Sequence, residues 1–235
     1  MGKKKLARFR ELESLERVIQ PPFEDVFGKD HPLKGNWSRE VFGNGNPLVL
    51  ELGCGKGEYT VGLASRDPER NYLGVDIKGA RIWAGARRGH DLGLKNVGFL
   101  RTRIEFIGSF FARDEVDELW ITFPDPQAKK RRQKKRLTGP PCLNRYRLFL
   151  KDGGRVSLKT DSGELCDYTR ELVRFNHLEV ELDSMDVYRE DWDNEITGIR
   201  THYESLFRAE GAKIHFLRFR LPSDRAILPL PDEDE

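Results

Sequence analysis

Short apolar runs recur along the middle of the chain, and polar stretches with helical spacing separate them. Buried strands are predicted at five places, residues 48–52, 71–75, 97–101, 116–123 and 155–159. Helices are predicted between them, the clearest at 58–65, 78–92 and 162–175. Strands that alternate with helices at this spacing are typical of an α/β fold with a doubly wound, mostly parallel sheet.

The flanking segments carry different patterns. Residues 1–20 place apolar side chains three and four positions apart among lysines and arginines, which predicts an amphipathic helix behind a basic arm, ended by Pro21 and Pro22. Residues 28–47 are rich in Gly, Asn and Pro and predict a loop. Residues 213–221 alternate apolar and polar side chains, which predicts a half-exposed strand at the end of the sheet.

These patterns divide the chain into three parts. A basic N-terminal extension of helix and loop is expected over 1–45, and a single folded domain over 46–222. The remaining residues, 223–235, end in an acidic stretch and are predicted to be a disordered tail.

The composition fits a soluble globular protein, with 37% hydrophobic and 34% charged residues. Cys54, Cys142 and Cys166 have neither C-x-x-C spacing nor clustered histidines, so no zinc site and no disulfide are predicted and a reducing cytoplasm is expected. No apolar stretch approaches the ~20 residues that cross a bilayer. Neither a signal peptide nor a membrane partner is expected.

The first predicted strand runs into a glycine-rich turn. Gly53, Gly55 and Gly57 precede a helix, and the missing Cβ atoms allow a cofactor close to the backbone and the helix N-terminus. Asp76 ends the next strand, 19 residues after Gly57, where it would accept hydrogen bonds from both hydroxyls of a ribose. A plain tight turn beside a surface Asp is the alternative interpretation.

The spacing also distinguishes between two nucleoside cofactors. A dinucleotide site prefers G-x-G-x-x-G, whose third glycine makes room for a pyrophosphate; here the third glycine comes one residue early. Glu51 precedes the turn, and its carboxylate would repel a pyrophosphate but suit the cationic amine and sulfonium of S-adenosylmethionine. The pattern therefore favours the methyl donor over NAD.

Acidic residues stand at the carboxyl ends of four predicted strands: Glu51, Asp76, Asp125 and Asp161. Ligands of open α/β sheets bind beyond these ends, so a cationic, hydroxyl-rich ligand is expected. Magnesium is the weaker alternative, because the acids are spread over several strands, and no metal is expected. Asp125 stands between two prolines, where plain turn chemistry is the alternative.

The positive charge is concentrated in one run. The chain has a formal net charge of +2, whereas Lys129 to Arg136 alone carry +7, so the remaining residues sum to −5. A solvated loop or a localisation signal would show the same charge. Because the run leaves from the rim of the predicted site, we expect all of it to contact phosphates of a nucleic acid, with the N-terminal arm as a second contact.

A further polar cluster consists of Thr201, His202, Tyr203 and Glu204. These side chains would suit contacts with a base edge or a phosphate. The alternative is a capping box, with Thr201 as the N-cap of a helix to about residue 210 and Glu204 three residues on. The same spacing at Asp161 and Glu164 predicts a cap for the helix that ends near 175.

Four segments of the chain, ELGCGKGEY, FPDP followed by KKRRQKKRL, LKTD and TGIRTHYE, together resemble the TrmB-type tRNA (guanine-N7-)-methyltransferases over roughly residues 45–221. The resemblance implies a class I methyltransferase fold, Rossmann-like with an antiparallel last strand. It also implies methyl transfer from S-adenosylmethionine to N7 of guanine 46 in the variable loop of tRNA. A methyltransferase of the same fold acting on another RNA, and a non-catalytic RNA-binding module, are the alternatives.

The resemblance implies roles for individual residues as well. Cofactor-binding roles fall on Glu51, Gly53, Gly55, Asp76, Arg103 and Asp125. Substrate-binding roles fall on Lys129, Asp161, Thr201, His202, Tyr203 and Glu204. Asp125 is also the expected catalytic residue, because a carboxylate near the purine would stabilise the positive charge that methylation leaves there.

Two positions depart from the family pattern. Gln127 stands where the family usually has Trp, which removes a candidate stacking surface. Arg103 stands where an acidic or amide side chain is usual, so the hydrogen bond to adenine is lost or comes from the backbone.

Overall fold

The computed structural model describes residues 3–190, 192 and 194–231. The strands of this part of the chain are β1 (Val18–Ile19), β2 (Leu48–Leu52), β3 (Asn71–Asp76), β4 (Val97–Arg101), β5 (Val116–Thr122), β6 (Leu150–Thr160), β7 (Val180–Ser184) and β8 (His215–Leu221). The α-helices are α1 (Lys3–Ser14), α2 (Trp37–Glu40), α3 (Glu58–Arg66), α4 (Gly79–Asp91), α5 (Pro140–Tyr146), α6 (Gly163–Phe175) and α7 (His202–Ala209). Short 3₁₀ turns occur at Phe23–Asp25, Ile104–Ser109 and Lys130–Lys135.

The strands form one sheet in the order β1-β4-β3-β2-β5-β6-β8-β7. The pairs from β1 to β6 are parallel, whereas β8 is antiparallel to both β6 and β7. The predicted mostly parallel sheet with an antiparallel last strand is confirmed. Because β2 pairs with β3 on one side and β5 on the other, the carboxyl ends of these three strands lie together at one edge.

Hydrophobic side chains cover both faces of the sheet. Successive residues of a strand point to opposite faces, so Leu50 and Leu119 join one buried cluster while Val49 and Trp120 join another. A sheet that is buried on both faces requires continuous apolar strands, and all five residues of β2 are buried.

The N-terminal segment is built into this sheet. Helix α1 ends at Ser14 rather than near residue 20, and Arg17 adopts a positive φ of 58°. The next two residues, β1, pair in parallel with β4, whose edge offers backbone hydrogen bonds that a longer helix would leave unused. The predicted loop also contains α2, where the buried indole of Trp37 donates to the carbonyl of Phe110 at 2.7 Å.

Strand β6 is longer than predicted. It begins at Leu150 and includes residues 152–154, where the Asp-Gly-Gly sequence favours a turn. The register against β5 shifts between Val116 and Glu118, whose partners are Leu150 and Arg155, so the extra residues bulge out of the strand.

The prediction for the last strand is wrong in two respects. Strand β8 lies inside the sheet, between β6 and β7, and six of its seven residues are buried rather than half-exposed. The end of the sheet is β7, which the sequence pattern did not predict. Its covering of β8 explains why alternating polar positions such as Arg218 are buried.

Two local predictions are corrected by hydrogen bonds. Helix α6 is capped by Ser162, whose hydroxyl accepts from the N–H of Leu165 at 3.2 Å, so the predicted cap at Asp161 is wrong. The prediction of a disordered tail is wrong for residues 223–231. Ile227 is 2% exposed, and its backbone N–H and carbonyl bond to Asn144 at 2.9 and 2.8 Å. Residues 232–235 lie outside the described residues.

Candidate active site

A turn built on three glycines joins β2 to α3. Gly53, Gly55 and Gly57 have positive φ angles of 77°, 57° and 66°, a region that favours glycine. A Cβ atom at Gly57 would lie 2.5 Å from the ring of Phe99, so this position is closed to larger residues. The N–H of Gly55 donates to the Asp76 carboxylate at 2.9 Å, which holds the turn against the end of β3.

A cavity of about 460 Å³ opens beside Gly53 and Asp76. Apolar side chains of Ile77, Ile104 and Leu137 line part of it, and its size suits a nucleoside. The cationic side chains that line it are Arg103, Lys134, Lys135 and Arg145. Asp76 accepts backbone hydrogen bonds on both oxygens, the second from Lys78 at 2.7 Å, and each oxygen keeps a lone pair for another donor.

Glu51 is 3% exposed and lies at the base of the turn. Its carboxylate accepts hydrogen bonds from the N–H of Thr60 at 2.8 Å and from the hydroxyls of Thr60 and Thr122. Burial raises the pKa of Glu51 to about 7, because desolvation of the ionised form outweighs these hydrogen bonds and the nearby Asp76 adds to the rise. A cation near the turn would therefore favour the ionised form of Glu51.

A second cavity of about 80 Å³ also borders Gly53. Its other lining residues include Glu51, Gly55, Phe123, Thr201 and Tyr203. The glycine turn, the end of β5 and the Thr201 segment therefore meet at one place, although they are far apart in the sequence. In the described part of the chain, the predicted site residues that line neither cavity are Asp125, Lys129, Asp161, His202 and Glu204.

Strand β5 ends in a turn that exposes Asp125. Phe123 and Gln127 flank this turn with positive φ angles of 47° and 50°, which are uncommon for residues with a Cβ atom. One carboxylate oxygen of Asp125 accepts from the N–H of Gln127 at 2.9 Å and closes the turn. Strained backbone of this kind is concentrated at functional sites.

The basic run divides into parts with different surroundings. Lys129 is exposed, and the 3₁₀ turn Lys130–Lys135 follows it. Arg136 is instead 2% exposed, donates to the carbonyl of Pro126 at 3.0 Å and pairs with Glu164 at 2.6 Å. The expectation that the whole run contacts a nucleic acid is therefore wrong for Arg136, which ties this turn to α6.

A buried ion pair fixes the segment that precedes α7. Lys159 of β6 and Glu204 of α7 are both fully buried, with an N···O distance of 2.7 Å. Lys159 also donates to the backbone carbonyls of Ile196 and Ile199, and Glu204 accepts from the hydroxyl of Tyr188 at 2.8 Å. Burial lowers the pKa of Lys159, and the charge of Glu204 opposes that change.

Glu204 also completes the predicted capping box of α7. The hydroxyl of Thr201 accepts from the N–H of Glu204 at 3.1 Å, and the Glu204 carboxylate accepts from the N–H of Thr201. The carboxylate thus has protein partners on several sides and no exposed surface. A contact between Glu204 and the substrate stays a prediction.

Aromatic rings lead from α7 to the end of β5. Tyr203 is exposed and stacks on Phe207 with ring centroids 6.4 Å apart, and Phe207 lies 6.1 Å from Phe123. The backbone N–H of His202 donates to Glu58 of α3 at 3.0 Å, which links this helix to the glycine turn. These rings offer a stacking surface that Gln127 does not provide.

Of the remaining predicted residues, Arg103 lines the larger cavity and Asp161 lines neither. Asp161 follows β6 and is half-buried; burial raises its pKa, and the nearby His215 opposes the rise. Arg103 is exposed, with its Nε atom 3.8 Å from the carboxylate of Glu105.

Three residues of this region were missed by the sequence prediction: Glu105, Lys159 and Phe207. Lys159 had a visible signal, since it is a lysine at the end of a predicted buried strand, where a charge needs a partner. The other two gave none, because a surface acid and a helical Phe are common.

Within residues 3–190, 192 and 194–231, no group of three or more His, Cys, Asp or Glu side chains is arranged to hold a metal ion. In the same ranges no helix has the length and apolar character that crossing a membrane requires.

A family model and several named relatives match this chain over most of its length. A family model described as a putative methyltransferase matches residues 45–217. The tRNA (guanine-N(7)-)-methyltransferase of Bacteroides thetaiotaomicron is 46% identical over 99% of this chain and 91% of that protein. The enzymes of the same name from Christiangramia forsetii and Porphyromonas gingivalis are 48% and 49% identical, over 94% and 89% of this chain and 99% and 86% of those proteins.

Solved structures share the fold at much lower identity. The 16S rRNA methyltransferase KamB has a TM-score of 0.57 at 15% identity, over 75% of this chain and 88% of that chain. The 30S ribosomal A1408 methyltransferase from an uncultured bacterium has a TM-score of 0.57 at 14% identity, over 81% and 95%. Identity this low is evidence of the fold alone, whereas the full-length similarity to the first group assigns the family. The chain belongs to the tRNA (guanine-N7-)-methyltransferase family.

Proposed function

We propose that this chain transfers a methyl group from S-adenosylmethionine to N7 of a guanine in tRNA, and that guanine 46 of the variable loop is the target. The observation that carries the proposal is the meeting of two cavities at Gly53. One has the size and lining for a nucleoside, and the other joins the glycine turn to Phe123, Thr201 and Tyr203. The names of the relatives, which cover nearly the whole chain, support the same reaction.

The residues present fit S-adenosylmethionine. Asp76 has lone pairs for two ribose hydroxyls, and Gly53 and Gly55 leave the backbone open to a ligand. Glu51, with a pKa near 7, supplies a negative charge that a cationic group stabilises. When bound, the cofactor supplies an electrophilic methyl group.

The methyl transfer requires little proton transfer by the protein. Guanine N7 carries a lone pair and no proton at neutral pH, so the site needs no general base. Its tasks are to orient the guanine in line with the methyl group and to stabilise the positive charge that the purine acquires. Asp125 performs the second task, because its turn already fixes the carboxylate before substrate arrives. Removing one such preorganised group typically lowers the rate about 10²- to 10³-fold.

Charged and aromatic surfaces place the tRNA. Lys129 and the exposed cations that follow it contact phosphates. Tyr203 provides an exposed ring for a base, and His202 beside it and Asp161 after β6 are assigned polar contacts with the tRNA. Glu204 and Lys159 act indirectly in this scheme, since their buried pair holds the start of α7 in place.

The test is transfer of a labelled methyl group to bulk tRNA that lacks 7-methylguanosine, followed by identification of the labelled nucleoside and mapping of its position in the tRNA. The proposal predicts label in 7-methylguanosine alone, at position 46. Label in another nucleoside, or no transfer by protein that binds S-adenosylhomocysteine, would contradict it.

A further inference from the structure

Two of the described residues that line the larger cavity carry a carboxylate, Asp76 and Glu105. Asp76 ends β3 and is held by the backbone N–H groups of Gly55 and Lys78. The proposed function assigns it to the ribose. Glu105 has no role in that account, although it stands in the 3₁₀ turn Ile104–Ser109 on the wall of the same cavity.

Adenine needs a hydrogen-bond acceptor on the wall of this cavity. Its exocyclic amine donates hydrogen bonds and requires an acceptor. The basic side chains on the wall, including Arg103, Lys134 and Lys135, only donate. Arg103 stands where a side-chain acceptor was expected and can itself accept only through its backbone carbonyl, so a side-chain acceptor has to come from another position. The carboxylate of Glu105, two residues later, is the strongest acceptor that remains.

The local geometry makes Glu105 available. Its carboxylate lies 3.8 Å from Nε of Arg103, and the two side chains are 61% and 58% exposed. An ion pair this long and this exposed adds little to stability, so it leaves the carboxylate able to turn towards a ligand.

We propose that Glu105 accepts a hydrogen bond from the exocyclic amine of the cofactor's adenine. The inference rests on the proposed function, because it takes S-adenosylmethionine as the cofactor. It makes Glu105 the residue that selects adenine over a purine without the amine.

The experiment measures binding, without tRNA, by isothermal titration calorimetry. The ligands are S-adenosylhomocysteine and its analogue with unsubstituted purine in place of adenine. The proteins are the wild type, Glu105→Ala, Glu105→Gln and the matched control Glu40→Ala, whose carboxylate pairs with the adjacent Arg39 outside this cavity. Circular dichroism checks that each variant is folded.

The wild type and Glu40→Ala should bind S-adenosylhomocysteine roughly tenfold or more tightly than the purine analogue, the value of a hydrogen bond to a charged group. Glu105→Ala should bind both ligands equally, at the wild-type affinity for the analogue. Glu105→Gln keeps a carbonyl acceptor and should retain part of the preference.

Three outcomes would overturn the inference. If Glu105→Ala kept the full preference, the amine would be bound by Thr102 or by backbone. If it weakened both ligands equally, Glu105 would shape the cavity without reading the amine. If the wild type bound neither ligand, the proposed cofactor would fail as well, which separates that failure from the first two.

Discussion

Replacing Glu51 with Gln should change how stability depends on pH. Glu51 is buried beneath the glycine turn, and its pKa is raised from its ordinary 4.5 to about 7. The native protein therefore holds a proton that the unfolded chain releases between these pH values. Stability consequently falls as pH rises from about 4.5 to 7 and stays low above that range. Glutamine keeps a carbonyl acceptor for Thr60, and its amide NH2 can donate to the hydroxyl of Thr122, while the ionisation is removed.

The size of this change in unfolding free energy follows from the raised pKa of Glu51. One pKa unit corresponds to about 1.36 kcal/mol, so the rise to about 7 corresponds to about 3 kcal/mol of unfolding free energy that Glu51 removes from the ligand-free protein by pH 8. Relative to the wild type, Glu51→Gln should gain about this amount between pH 4.5 and pH 8.

Urea unfolding followed by circular dichroism at several pH values between 4.5 and 8 measures this difference directly. Parallel stability curves for the two proteins would refute the reasoning, because they would mean that Glu51 titrates alike in the folded and unfolded states.

Cofactor affinity should change with pH in the direction opposite to stability. Affinity for S-adenosylmethionine should rise with pH between 6 and 8 in the wild type and stay flat in Glu51→Gln, since the cation favours the ionised carboxylate.

Two other buried groups lead to predictions that separate support of the fold from contact with RNA. Glu204→Gln should lower the unfolding free energy by about 3 kcal/mol, because it leaves Lys159 buried without its counter-charge. Adding Lys159→Met to this variant should recover part of the loss, measured by urea titration. If no stability were recovered, the role of the ion pair would be contradicted. Arg136→Met should lower stability but leave the salt dependence of tRNA affinity unchanged, whereas Lys130→Met should reduce the slope of log affinity against log salt by about 1 without loss of stability. Equal effects of the last two variants on the slope would contradict the division of the basic run.

Strands β2 to β6 could be predicted from the sequence because each contains a short apolar run, and β2 and β3 are ended by a glycine turn and by an acid, whereas β1 falls in a helical pattern. β2 and β3 show this most clearly, and all or nearly all of their residues are buried. The antiparallel end could not. Strand β7 has few buried residues, and the polar positions of β8 are buried only because β7 covers them.

The candidate site could likewise be predicted only in part from the sequence. Gly53, Gly55 and Asp76 lie at strand ends, and a parallel sheet brings such ends together whatever the rest of the fold does. The surroundings of a charge depend on tertiary packing, which local pattern does not contain. Arg136 ends a run of exposed cations yet is buried against α6, and Lys159 lies in a strand yet pairs with Glu204 of α7.

The central claim is that the edge formed by β2, β3 and β5 transfers a methyl group to guanine N7 with help from the charge of Asp125. Single-turnover methyl transfer by the wild type and Asp125→Asn, on tRNA transcripts with guanine or adenine at position 46, tests it most directly. Asparagine keeps an acceptor for the N–H of Gln127, so the turn is preserved while the charge is lost. We expect transfer only to the guanine transcript, with the variant slower by about 10²-fold or more. An unchanged rate in Asp125→Asn, or equal transfer to both transcripts, would contradict the claim.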